Sequence, residues 1–279
     1  MPLTSQRRPI FSPAHLLGLL AMLAALVGCA SQPGGVGGAN ADLSSAGIQT
    51  PSDDSEARRR ARTRLALAVG YFENGQHTVA LDEFKRVVQI DPTFADAYNL
   101  GGMIYMQLND VQLAEAHFQR AISIDSRDAN AWHNLGWLQC EQRRYPDAAQ
   151  SFQRALGVPG YPGRARTLMT QGICEARGGD RATAETTLMR SYELDAANPV
   201  TGYNLSQLLY LRGDYSRAQF YIRRLNNSEQ ANAESLWLGI KVERRMNNPQ
   251  AMEQLASQLR RRFPQSRELQ SFERGSFDD

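Results

Sequence analysis

From about residue 61 to residue 264 the apolar positions recur with a spacing of about 3.6 residues, in stretches that come in pairs. Short polar turns divide the pairs, among them Asn74-Gly75, Asn109-Asp110, Gly179-Asp180 and Gly213-Asp214. This spacing gathers the apolar side chains on one face of a helix, so the pattern predicts helix–turn–helix units and an all-helical body. The unit recurs about every 34 residues, in six copies that start near Ala61, Ala95, Ala129, Ala165, Pro199 and Asn232. A single unit cannot bury its own apolar face, so stacking against its neighbours is obligatory.

The third copy is the clearest, with Trp132, Leu135, Gly136, Ala148, Phe152 and Ala155 at its positions 4, 7, 8, 20, 24 and 27. The second supplies Tyr98, Gly102, Tyr105, Ala114, Phe118 and Ala121, and the first Leu67, Tyr71, Ala80, Phe84 and Pro92. Later copies are looser: Gly172, Ala184 and Leu188, then Leu205, Ala218 and Ile222, then Leu238, Gly239, Ala251 and Leu255. This pattern resembles the tetratricopeptide repeat. The resemblance implies an all-α, right-handed superhelical solenoid of about six repeats, with a concave groove that holds another chain. The physics agrees: small residues at positions 8 and 20 let two helices approach closely, and bulky ones at 11 and 24 fill the space between units.

In this repeat the first helix of each pair lines the groove, and positions 5, 9 and 12 share one face of it. These positions are Leu65, Val69 and Phe72; Asn99, Met103 and Met106; His133, Trp137 and Cys140; Met169, Ile173 and Ala176; Tyr203, Gln207 and Tyr210; Leu236 and Ile240. The expected partner-binding face is Asn99, Met103, His133, Trp137, Met169, Ile173, Tyr203, Gln207 and Tyr210, with the three aromatic residues as anchors. Any one of these side chains either meets a partner or packs between neighbouring helices. Lysine and arginine are scarce at these positions, which argues against a clamp for a peptide carboxylate and for an apolar peptide or helix.

The first residues have a different character. Arg7 and Arg8 precede an apolar run from Leu16 to Val27, too short to span a bilayer comfortably but suited to a secretory signal. Pro9 after the two arginines, with no cofactor motif downstream, favours the general export route over the twin-arginine one. The run ends in Leu26-Val27-Gly28-Cys29, which resembles the lipobox of bacterial lipoproteins. That resemblance implies a diacylglycerol on the Cys29 thiol, cleavage before it, and anchorage by acyl chains whose buried methylenes each contribute about 0.8 kcal/mol. Ala30 stands where an aspartate would retain the protein in the inner membrane, so the outer membrane is expected, with the body facing the periplasm. Gly-, Ser-, Ala- and Asp-rich sequence follows, a tether with a reach of about 30 Å. The expected divisions are residues 1–28 (signal peptide), 29–57 (lipidated tether), 58–268 (six repeats) and 269–279 (C-terminal tail).

Charge and reactive side chains narrow the function further. The formal net charge of +2 comes from Arg7 and Arg8, since residues 1–28 hold no other lysine or arginine and no acid; beyond them the charges balance. A balanced surface gives no general attraction to nucleic acid, and neither nucleic acid nor a small-molecule substrate is an expected partner. His77, His117 and His133 form no metal-ligand spacing, and no phosphate loop or nucleophile elbow is present. The expectation is a binding protein, not an enzyme, with no cofactor beyond the lipid on Cys29. Cys140 and Cys174 occupy repeat positions 12 and 10, directions about 160° apart on a helix, so two buried free thiols are expected. Arg212-Gly213-Asp214 spells an adhesion tripeptide but falls on an inter-helix turn. The Gly157 to Arg164 segment adds two residues to the period and is either a binding ridge or, the favoured reading, a tolerated insertion.

The whole plan of lipobox, tether, six repeats and short tail resembles the type IV pilus biogenesis and stability lipoprotein family (PilW/PilF). "GYPGRARTLMTQGICEARGG" (Gly160 to Gly179) and the stretch from Asn232 to Phe272 look like that family's fourth repeat and its C-terminal helices. The resemblance implies an outer-membrane pilotin-like scaffold that binds a secretin subunit, or another type IV pilus assembly component, and promotes secretin localisation and multimerisation. The alternative is an adaptor for another envelope assembly, such as barrel assembly, polysaccharide export or protease recruitment.

Overall fold

The computed structural model describes residues 54–277. The signal sequence, the lipobox with Cys29 and nearly all of the tether lie outside the described residues. Thirteen helices make up the described residues, with no strand among them. They form six antiparallel pairs: α1 (Glu56–Glu73) with α2 (His77–Ile90), α3 (Ala95–Gln107) with α4 (Val111–Ile124), and α5 (Ala129–Glu141) with α6 (Tyr145–Leu156). The series continues with α7 (Arg164–Arg177) and α8 (Arg181–Leu194), α9 (Pro199–Arg212) and α10 (Tyr215–Asn226), and α11 (Ala233–Arg245) and α12 (Pro249–Arg262). A last short helix, α13 (Arg267–Glu273), packs on α11 and α12. Each pair touches the next in chain order, and the odd-numbered helices contact one another along the series. This is the all-α repeat solenoid.

Each helix pair turns on one residue held in the left-handed region. The six are Gly75, Asn109, Arg143, Gly179, Gly213 and Asn247, all at positive φ. Glycine and asparagine tolerate that conformation, whereas Arg143 adopts it at φ 61° against its Cβ. The next helix is then capped by a side chain where the sequence supplies one: Asp110, Asp180, Asp214 and Asn248 each accept a hydrogen bond from a backbone N–H in the first turn. The Arg212-Gly213-Asp214 tripeptide is such a turn. Gly213 ends α9 at φ 87°, Asp214 caps α10, and Arg212 pairs with Asp214 at 2.9 Å and Glu185 at 2.7 Å.

The turn residues correct one register. Counted from Ala61, Ala95, Ala129, Ala165 and Pro199, the turn residue is the fifteenth of each repeat, and Asn247 is fifteenth only if the sixth repeat starts at Ala233. The start near Asn232 is therefore one residue early; Asn232 is the N-cap of α11, its side chain accepting from the Ser235 N–H. Burial agrees, because Leu236, Ile240, Glu243, Ala256 and Leu259, each at most 1% exposed, then fall at the core positions.

Within a repeat, a small residue faces a large one. A Cβ placed on Gly136 would lie 2.9 Å from the ring of Phe152, which is fully buried, so the ring of α6 occupies the space that the glycine of α5 leaves. In the fifth repeat the equivalent Ser206 makes a hydrogen bond to the Ala218 carbonyl at 2.9 Å, satisfying its hydroxyl at the same close approach.

The ends of the folded body extend past the expected boundaries. Ser55 caps α1, so helix begins before residue 58, and residues 269–273, expected as tail, belong to α13. Leu269 is buried there, and Phe272 and Phe277 pack against the cluster formed by Leu236, Ile240, Ala256 and Leu259. The extra residues between α6 and α7 are also structural. Tyr161 is buried against Ala129 and Ala155, and its hydroxyl shares a hydrogen bond with Thr167 at 3.1 Å.

Candidate partner-binding groove

The first helices of successive repeats present their positions 5, 9 and 12 side by side, and the expected groove residues divide into three groups along them. In the middle of the solenoid they are used by the fold. His133 is 7% exposed, with Nδ1 2.9 Å from the Thr167 hydroxyl and its ring tilted against Phe152. Burial, and then the charge of Arg166, push its pKa down to about 4, so the imidazole is neutral at pH 7. It ties α5 to α7 and is not presented to a partner.

Cys140 and Cys174 contradict the expectation of free thiols: they form a disulfide, with their Cα atoms 5.8 Å apart. Directions about 160° apart keep two thiols from meeting only when both leave the same helix. Their helices, α5 and α7, are neighbours in contact, so a side chain facing forward from one must meet a side chain facing back from the next. Opposite directions are what the bridge requires.

The second group is half-buried. Asn99 accepts a hydrogen bond from the Asn134 amide at 2.9 Å, and Met103 packs against both the cluster shared by the first two repeats and the one shared by the second and third. Trp137 borders the disulfide cluster with the Arg177 guanidinium 5.1 Å from its ring, while Met169 and Ile173 are partly covered on α7.

The third group forms a cleft. Tyr203, Gln207 and Tyr210 on α9 line a cavity of about 610 Å³ together with Trp237 and Lys241 on α11. Lys241 Nζ sits 5.7 Å from the Tyr210 ring and 5.6 Å from the Trp237 ring. Glu234 and Glu268 line the same cleft, and their charges join burial, the larger cause, in raising the Tyr203 pKa.

Trp237, Lys241 and Arg244 were missed because of the one-residue register error. In the corrected register they stand at positions 5, 9 and 12 of the sixth repeat, beside Tyr203, Gln207 and Tyr210 of the fifth. Leu236 and Ile240, expected in the groove, are instead fully buried under α12 and α13. The groove is therefore apolar and aromatic for most of its length but cationic at its last repeat. Among the described residues no cluster of His, Cys, Asp or Glu is arranged to hold a metal ion, and no helix is long and apolar enough to cross a membrane.

The tetratricopeptide-repeat family model matches residues 65–131, 99–165 and 133–199 in overlapping pairs of units. Residues 65–199 of this chain are tetratricopeptide repeats. It is 28% identical over 228 residues to the type IV pilus assembly protein PilF of Pseudomonas aeruginosa, an alignment covering 81% of this chain and 90% of that one. The solved structure of Pseudomonas aeruginosa PilF superposes with a TM-score of 0.72 at 26% identity, covering 80% of this chain and all of that one. PilW, described as a widely conserved type IV pilus biogenesis factor, superposes with a TM-score of 0.69 at 28% identity, covering 76% of this chain and 97% of the other. Each of these similarities thus covers a longer share of the chain than the family model matches.

Proposed function

We propose that this chain is a scaffold of type IV pilus biogenesis, anchored in the outer membrane through lipid on Cys29. Its groove holds a secretin subunit, or another pilus assembly protein, and promotes secretin localisation and multimerisation. The observation that carries the reading is the similarity to PilF and PilW over most of the chain. The Cys140–Cys174 bridge supports the expected compartment, because such bonds persist in oxidising spaces such as the periplasm and are rare where thiols are kept reduced.

Mechanistically, a solenoid of this kind contributes shape and no bond-making chemistry. An apolar segment of a subunit laid along α7, α9 and α11 would be shielded from water until insertion, at about 25 cal/mol for each Å² covered. The test is deletion of the gene, with complementation by the wild-type chain or by Cys29→Ser. Loss of secretin multimers from outer-membrane fractions and loss of twitching motility are expected, restored only by the wild-type chain. Multimers and motility that survive the deletion would overturn the pilus reading. A Cys29→Ser protein still acylated and still in the outer membrane would overturn the anchor.

A further inference from the structure

The cleft between α9, α11 and α13 already has something in it. Phe277, from the segment that follows α13, lies on Trp237 with the ring centroids 5.1 Å apart and the planes 30° from parallel. The Arg244 guanidinium covers it at 3.9 Å from the ring centroid, and Phe272 meets its edge at 6.1 Å. Phe277 thus rests on positions 5 and 12 of the sixth repeat, two of the three positions through which the first helix of this repeat faces the groove. An aromatic ring from elsewhere in the chain is seated where a partner's side chain would sit.

The surroundings specify what such a side chain would carry with it. Lys241, Arg244 and Arg245 stand on the last two turns of α11, and Lys241 and Arg245 line the cleft itself. Glu234 and Glu268 lie toward the start of α11, beside Tyr203. Charge complementarity therefore favours acids next to the ring at the arginine end. The chain's own sequence has that form: Phe277 is followed by Asp278 and Asp279.

We propose that this cleft binds an extended partner segment in which an aromatic residue is followed by acids, and that Phe277 holds the place until the segment displaces it. The inference deepens the scaffold reading by giving the chemistry of the bound segment, and it rests on the groove holding a protein partner. Its test involves no pilus component, so the two readings can fail separately.

The probe is a fluorescein-labelled peptide, Gly-Ser-Phe-Asp-Asp, titrated against the full chain in detergent and followed by anisotropy. Phe277→Ala should bind it at least tenfold more tightly than the wild-type chain, because the resident ring no longer competes. Adding Lys241→Glu to Phe277→Ala should cost at least tenfold, as should replacing the peptide by Gly-Ser-Ala-Asp-Asp or Gly-Ser-Phe-Lys-Lys. Phe277 lies outside the helices and Lys241 is only half-buried, and circular dichroism on each variant verifies that the solenoid is intact. Equal binding by wild type and Phe277→Ala, equal binding of the four-residue-matched alanine peptide, or no binding to Phe277→Ala at about 1 mM peptide would each overturn the proposal.

Discussion

Cys140 on α5 and Cys174 on α7 are bonded across a Cα separation of 5.8 Å, 34 residues apart in the sequence. The bond spans the junction of the third and fourth repeats, where the connection is also two residues longer than elsewhere. Closing a loop of that length in the unfolded chain is worth about 3 to 4 kcal/mol in the chain-entropy model. Urea unfolding of Cys140→Ala/Cys174→Ala should show a loss of that order, and dithiothreitol should lower the midpoint of the wild type but not of the double variant. A wild type indifferent to reductant would count against the bridge.

Gly136 and Phe152 give a packing prediction. With a Cβ only 2.9 Å from a fully buried ring, Gly136→Ala forces the ring or the helix aside, at about 1 to 3 kcal/mol. Phe152→Leu made in the Gly136→Ala background should recover part of that loss, although alone it is destabilising. Additive losses in urea melts of the two single variants and the double would show that the two residues do not compete for one space.

Arg143 points the other way. It is exposed and held at φ 61°, where glycine and asparagine stand in the other five turns. Arg143→Gly should therefore raise stability by up to about 1 kcal/mol, the strain of a side chain in the left-handed region less the greater freedom of glycine in the unfolded chain. A fall in the thermal midpoint would refute it.

His133 makes stability depend on pH. Its folded pKa, about 4, lies below the ordinary value of 6.5, so between those values the unfolded chain binds the extra proton. Its contribution is fully present above pH 6.5 and declines as the pH falls toward 4, by on the order of 3 kcal/mol. The His117 pKa is lowered by burial as well and acts in the same direction. His133→Gln should flatten the difference in unfolding free energy between pH 7 and pH 4. Parallel profiles for variant and wild type would show that the imidazole is not buried neutral.

The repeat was legible in the sequence because its period is written several times over: the small residues at Gly102, Gly136 and Gly172 and the large ones at Phe84, Phe118 and Phe152 each report the same close approach. The aromatic end of the groove was legible through Tyr203 and Tyr210 for the same reason. The sixth repeat was not, because Gly239 there mimics the small residue of position 8 while standing at position 7, where a Cβ would meet Asn226 of the preceding pair at 2.5 Å. That single coincidence hid Trp237, Lys241 and Arg244. The disulfide was hidden for a different reason, since directions on one helix say nothing about which face the next helix turns toward it. Phe277 lies beyond the last periodic stretch, where no pattern predicts a contact.

A stack of repeats, each touching only its neighbours, behaves as a spring whose pitch changes by small rotations at every junction. The Cys140–Cys174 bond removes that freedom at the central junction. The molecule then flexes as two short springs on either side of a fixed coil, and a partner seated at the C-terminal end strains only the nearer one.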